Sequence, residues 1–171
     1  MHIARSFILI ITLFSISAMA QDSWQVKIGV NGLTCSACSR SVEMGLRRLD
    51  FVDSVVMSLE TTEGTVITKK GTFTDFGRIA KAVTDAGFSV RFLQASFSFE
   101  DATINQDGCF EIGKHSFQWV DYKGGKAGQQ ALRFVDEPFL PGKEFNQWKK
   151  KLKANTCFPG KRIFHLTNEL E

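Results

Sequence analysis

The sequence changes from a strand pattern to a helix pattern within Gly32-Leu33-Thr34-Cys35-Ser36-Ala37-Cys38. Before it, apolar residues alternate with others, which is typical of a strand with one buried face: Trp24, Val26, Ile28 and Val30. After it, apolar residues recur at the spacing of an amphipathic helix: Val42, Leu46 and Leu49. We expect Thr34 or Ser36 to cap this helix.

The following residues continue the alternation of strands and helices. A strand, a hairpin turn, a short strand, a helix and a last strand are predicted at 51–59, 60–64, 65–69, 74–86 and 88–93. Gly87 follows the second helix, where a left-handed residue is common. The order β-α-β-β-α-β over residues 22–95 predicts an α+β fold, a ferredoxin-like sandwich with both helices on one face of an antiparallel sheet.

Residues 26–92 resemble the heavy-metal-associated domain family. The resemblance rests on the cysteine stretch, the helix stripe through Leu49 and Asp85-Ala86-Gly87-Phe88 before the last strand. Leu33 stands where the family usually has methionine, and Asp50-Phe51-Val52 where it usually has glycine followed by valine. The resemblance implies a carrier without catalytic activity, which binds Cu(I), or in one exported branch Hg(II), and passes it to a partner domain. It also implies that Phe88 packs near the cysteines; simple core packing is compatible with this.

Cys35 and Cys38 are the predicted metal ligands. They lie at C-x-x-C spacing where the first helix begins, and free N–H groups and the helix dipole there favour thiolate over thiol. Thiolates select soft ions, so we expect Cu(I), with Hg(II) and Zn(II) as alternatives. A structural zinc site needs four ligands, whereas two suit an ion that a metal donor or acceptor protein, such as a membrane transporter, exchanges.

Two alternatives to metal binding use the same cysteine pair. Thiol–disulfide oxidoreductases also place C-x-x-C at a helix start, but they generally need a proline loop beside it. The three prolines here all lie outside the first domain: Pro138, Pro141 and Pro159. The second alternative is that the pair is inert, a remnant of the family motif without a function. Met57 alternates with Val55 and Leu59, which favours a core residue over a thioether ligand.

Residues 1–20 are predicted to be a signal peptide. Arg5 precedes a short apolar segment, and Ala18-Met19-Ala20 forms a cleavage site; an uncleaved anchor is the alternative. We therefore expect an exported, periplasmic protein. In that oxidising compartment unpaired thiols tend to form disulfides, so Cys35 and Cys38 need to be reduced before they bind metal.

Residues 96–171 resemble no family known to us and are predicted to be β-rich with one helix, as a second domain or an extension of the first sheet. Trp119 and Trp148 are expected to be buried. Cys109 and Cys157, 48 positions apart, favour a structural disulfide, which the chain-entropy estimate values at about 4 kcal/mol. A second metal site with His115 or His165 is the alternative.

The charge of the chain is weak. The 171 residues carry a formal net charge of +3, and basic and acidic residues are interleaved, so nucleic acid is not an expected partner. Lys149-Lys150-Lys151 with Lys153 forms a basic run on the predicted late helix, which is usually a solvated face. We expect a monomer.

Overall fold

A computed structural model of the chain describes residues 23–99, 104–125, 128–152 and 157–169. Its strands are β1 (Gln25–Asn31), β2 (Val52–Ser58), β3 (Glu63–Thr68), β4 (Ser89–Ser98), β5 (Cys109–Ile112), β6 (His115–Trp119), β7 (Gln129–Phe134) and β8 (Ile163–Thr167). Its helices are α1 (Ser36–Arg47), α2 (Phe76–Asp85), α3 (Gly142–Lys149) and a short 3-10 helix (Glu137–Phe139). The predicted signal peptide, residues 1–20, lies outside the described residues. No helix in the described ranges is long and apolar enough to cross a membrane.

The first half of the chain has the predicted ferredoxin-like arrangement. β1 lies between β3 and β4 and is antiparallel to both, while β2 pairs with β3. The order β2-β3-β1-β4 is that of a β-α-β-β-α-β sandwich. The prediction of an α+β, ferredoxin-like fold is confirmed.

The helices α1 and α2 cover one face of this sheet. Val26, Ile28 and Val30 of β1 project to the same face, because side chains alternate along a strand, and all three are fully buried. They share a hydrophobic core with Val42 and Leu46 of α1 and with the apolar stripe of α2. This packing fixes β1 and α1, and therefore the loop between them.

β4 continues past the predicted end of the first domain. The sequence predicted two strands, at 88–93 and 95–99, but the structure has one, since no glycine or proline interrupts it at Gln94. The first half of β4 pairs with β1 and its second half with β7. Residues beyond 99 therefore extend the first sheet, and the division between residues 95 and 96 stays a prediction.

The described residues form one eight-stranded sheet in the order β2-β3-β1-β4-β7-β8-β6-β5. β7 is antiparallel to β8, and β6 is parallel to β8. We refer below to the part of the chain after Phe99 as the extension. Because β4 pairs with both β1 and β7, one sheet includes the strand that leads to the cysteine loop and the strands of the extension.

A cluster of aromatic rings fills the space where the two halves meet. Trp24, just before β1, contacts Phe97 of β4 and Phe117 of β6, with ring centres 5.2 and 6.1 Å apart. Trp119 is buried, as predicted. The burial predicted for Trp148 is wrong: α3 has no buried residue, because only part of this short helix faces the protein, and Trp148 is half-buried.

Candidate metal centre

Cys35 and Cys38 lie at the first turn of α1. Cys35 is exposed, whereas Cys38 is half-buried and packs against the core. The structure joins the two sulfurs in a disulfide, with the Cα atoms 5.1 Å apart. The two sulfurs therefore lie together at the N-terminus of α1.

The cap of α1 differs from the prediction. The sequence favoured Thr34 or Ser36, but Cys35 is the N-cap residue, and its Sγ accepts a hydrogen bond of 3.1 Å from the backbone N–H of Cys38. Sulfur takes this role because Cys35 has the extended backbone that a cap requires. The free N–H groups and the positive end of the helix dipole therefore lie beside the sulfur of Cys35.

The loop before the cysteines is held at several points. Gly32 has a φ of +82°, a left-handed conformation that glycine adopts without strain. Leu33, at 2% exposure, anchors the loop in the core. The backbone N–H of Val30 donates to the carbonyl of Thr62 in the β2–β3 turn, at 2.9 Å. These contacts fix the path of the chain from β1 to Cys35.

Phe88 lies beside this loop. Its ring is half-buried and packs against the core. A Cβ atom built at Gly32 would lie 3.8 Å from the ring, which is ordinary contact distance. Phe88 therefore belongs to the core and also covers the side of the cysteine loop.

Met57 of β2 pairs with Gly64 of β3. It is half-buried and packs against the core. Its sulfur lies over Gly64 of β3, where an added Cβ atom would come within 2.7 Å of Sδ. This position agrees with the prediction of a core residue. Within the described ranges, no group of three or more His, Cys, Asp or Glu side chains is arranged to hold a metal ion.

The second cysteine pair lies in the extension. Cys109 of β5 and Cys157, which follows α3, form a disulfide with the Cα atoms 5.7 Å apart. Neither predicted histidine joins them. The Nδ1 atom of His165 lies 2.7 Å from a carboxylate oxygen of Asp136. His115 is buried among aromatic rings, and this burial lowers its pKa from 6.5 to about 4.

The basic run is exposed. Lys149, Lys150 and Lys151 are all solvent-accessible. The Nζ atom of Lys151 lies 4.5 Å from the ring centre of Trp148 and 3.9 Å from a carboxylate oxygen of Glu169. Lys153 lies outside the described residues. The described part of the run agrees with a solvated face.

Comparison with known proteins identifies the family. The sequence profile described as "Heavy-metal-associated domain" matches residues 27–89. The chain is 30% identical over 83 residues to the "Mercuric transport protein periplasmic component" of Pseudomonas fluorescens, covering 46% of this chain and 90% of that protein. The chain therefore belongs to the heavy-metal-associated domain family, as its cysteine stretch and strand order predicted.

Two further similarities are more limited in extent. The chain is 39% identical over 70 residues to "Copper-transporting ATPase 1" of Rhizobium meliloti, which is 41% of this chain but 8% of the ATPase. It thus spans less than a tenth of that protein. The solved structure of oxidized MerP from Ralstonia metallidurans CH34 is 29% identical, with a TM-score of 0.37 over 40% of this chain and 93% of that one.

Proposed function

We propose that this protein is an exported carrier of a soft metal ion, which binds Cu(I) through Cys35 and Cys38. The observation that carries the proposal is the placement of an exposed and a half-buried cysteine sulfur together at the N-terminus of α1. Thiolates at that position prefer soft ions such as Cu(I). Family membership supports heavy-metal binding.

Transfer to a partner follows from the small number of ligands. Cu(I) bound by two thiolates can still accept a third thiolate ligand. A partner's thiolate therefore binds the ion before its bonds to Cys35 and Cys38 break. Cys35 is the exposed ligand, so we expect the partner to approach from its side. The carrier itself performs no catalysis.

The cysteine pair must be reduced before it binds. The disulfide between Cys35 and Cys38 takes up two electrons and two protons, which a partner dithiol supplies as it becomes a disulfide. Loss of both thiol protons then accompanies metal binding. The carrier is thus competent only in its reduced form.

Export and the class of partner rest on the predicted signal peptide and on relatives. One relative is named as the periplasmic component of mercuric transport and another as a copper-transporting ATPase. We infer a periplasmic protein that meets a metal donor or acceptor, such as a membrane transporter.

Hg(II) is the second candidate cargo. The chain covers nine-tenths of the mercuric relative, and Hg(II) is also a soft ion that favours two thiolates. Zn(II) is disfavoured because it takes four protein ligands in structural sites. A thiol–disulfide redox protein is the remaining alternative for the same pair.

Competitive titration of the reduced protein tests the proposal. We expect a single Cu(I) to bind per chain in competition with a chromophoric chelator, and Cys35→Ser with Cys38→Ser to abolish binding. Cys109→Ala with Cys157→Ala is the control and should bind normally. Full affinity in the Cys35/Cys38 double variant would place the site elsewhere.

The same samples distinguish the alternatives. Parallel titrations with Hg(II) and Zn(II) rank the ions, and tighter retention of Hg(II) against a matched thiol competitor would favour the mercury carrier. Catalytic reduction of insulin by the wild-type protein would favour the redox protein.

A further inference from the structure

A β-bulge interrupts β4 beside the metal-binding loop. Gly29 of β1 pairs with Phe92, but the next residue, Val30, pairs with Val90. Arg91 is therefore the extra residue of β4, and its backbone lies outside the regular ladder. Bulges of this kind bend a strand and redirect the residues that follow. The bulge lies shortly before the loop with Gly32 and Cys35, which follows β1, and shortly after Phe88, which precedes β4.

The extension supplies a donor to the bulged residue. Arg133 of β7 donates a hydrogen bond of 3.1 Å from Nη2 to the backbone carbonyl of Arg91. The same guanidinium lies 3.0 Å from a carboxylate oxygen of Glu144 in α3. Arg133 is only 8% exposed. A buried charged side chain thus satisfies a carbonyl that the bulge removes from the strand ladder.

Phe92 completes this contact on the face of the sheet opposite α1 and α2. Its ring lies directly over Gly29, where an added Cβ atom would be 2.5 Å away. The guanidinium carbons of Arg91 and Arg133 lie 5.3 and 5.4 Å from the ring centre, within cation–π range. Their Nε atoms are buried and have no hydrogen-bond partner among the described residues. The side chain of the bulged residue and that of Arg133 thus both pack on the ring that covers Gly29.

The bulged residue also contacts the turn that supports the loop. Nη2 of Arg91 donates to the carbonyl of Thr61 at 2.9 Å and lies 3.5 Å from a carboxylate oxygen of Glu63. The next carbonyl in that turn, of Thr62, accepts the N–H of Val30. The contacts therefore run without a gap from Glu144 and Arg133 to the residue that leads into the loop.

We propose that Arg133 is a positioning residue for the metal site, through which the extension sets the path of the loop carrying Cys35 and Cys38. This inference rests on the proposed function for the identity of the cargo, but the positioning concerns the two thiols themselves. Without Arg133, the carbonyl of Arg91 loses its donor, Phe92 loses one flanking cation, and the bulge relaxes. Phe88 and Val30, on either side of the loop, then move.

The test compares Arg133→Gln with two matched controls in the full chain. Arg162→Gln is the same substitution at another arginine that lies over a phenylalanine ring. The guanidinium carbon of Arg162 is 5.2 Å from the ring centre of Phe164. Asp136→Asn alters a half-buried polar contact of the extension, at His165. Phe92→Leu is a second test variant that keeps an apolar residue over Gly29. Denaturant unfolding shows which variants are folded.

Two properties are measured on each reduced protein: Cu(I) affinity by chelator competition, and the alkylation rates of Cys35 and Cys38 by peptide mass spectrometry. Residues that orient metal ligands typically change affinity by about tenfold or more. We expect Arg133→Gln and Phe92→Leu to lower Cu(I) affinity by about tenfold and to change the alkylation rates. Both controls should match the wild type.

The outcomes separate this inference from the proposed function. Altered alkylation in both test variants, with no Cu(I) binding even by the wild type, would support positioning and count against the carrier. Wild-type affinity and alkylation in a folded Arg133→Gln or Phe92→Leu protein would overturn the inference and leave the carrier intact. Equal changes in the controls would also overturn it, because the effect would then be one of general stability.

Discussion

At the scale of single residues, Cys35 combines two roles that are usually separate. Cys35 is the exposed member of the proposed metal-binding pair, and its sulfur is also the cap of α1. Serine retains a capping oxygen but is a hard ligand, so Cys35→Ser removes metal binding while preserving the helix start. Cys35→Ala would remove both the ligand and the cap. Its effect could then come either from loss of the metal site or from loss of the helix cap.

His115 makes stability depend on pH. Burial holds its pKa near 4 in the folded protein, against an opposing effect of Asp75, whereas the unfolded chain has the ordinary value of 6.5. Below pH 6.5 the unfolded chain gains a proton that the folded chain does not accept until about pH 4. The free energy of unfolding should therefore fall through this window, by about 3 kcal/mol in total. Urea unfolding at a series of pH values measures the loss.

His115→Phe is the matched variant for this prediction. Phenylalanine retains an aromatic ring against Phe73 and Phe76, whose ring centres lie 4.6 and 5.1 Å from that of His115. It cannot titrate, so its stability should decline less between pH 6.5 and 4. A decline parallel to that of the wild type would show that other groups cause the acid sensitivity.

At the scale of elements, the disulfide between Cys109 and Cys157 joins the segment after α3 to β5. This strand forms one edge of the sheet. The closed loop spans 48 positions, and restricting a loop of that length in the unfolded chain stabilises the fold by about 4 kcal/mol. We expect Cys109→Ala with Cys157→Ala to lower the free energy of unfolding by about that amount. Guanidinium unfolding measures the change.

The two cysteine pairs should contribute to the stability of the protein independently of each other. A protein with Cys35→Ser and Cys38→Ser should keep most of its stability. The disulfide that these substitutions remove closes a loop of only a few residues. If the Cys109/Cys157 double variant remained as stable as the wild type, the distant disulfide would not be an important constraint.

Local patterns predicted the elements around the metal site well. The alternation up to Val30 and the stripe from Val42 to Leu49 gave β1 and α1 within a residue or two. The cap was missed because sulfur is a rare acceptor there. The Arg91–Arg133 contact was not predictable, since 42 positions separate its partners and no local period links them. The parallel pairing of β6 with β8 is non-local for the same reason.

At the scale of the whole molecule, one core serves both the metal-binding half and the extension. Phe76 of α2 lies 4.8 Å from Phe134 of β7 and 5.6 Å from Phe164 of β8, between ring centres. β4 contributes backbone hydrogen bonds to both halves. Neither half can unfold without exposing rings of the other.

The full chain should therefore unfold in a single transition, and a fragment that ends at Phe99 should be much less stable. Such a fragment leaves Trp24 and Phe76 without the rings of Phe117 and Phe134, and each large apolar side chain exposed costs about 2 kcal/mol. Coincident unfolding curves from tryptophan fluorescence and circular dichroism test the single transition. Two separate transitions, or a fragment as stable as the full chain, would mean that the metal-binding half folds by itself and that the extension contributes little to its stability.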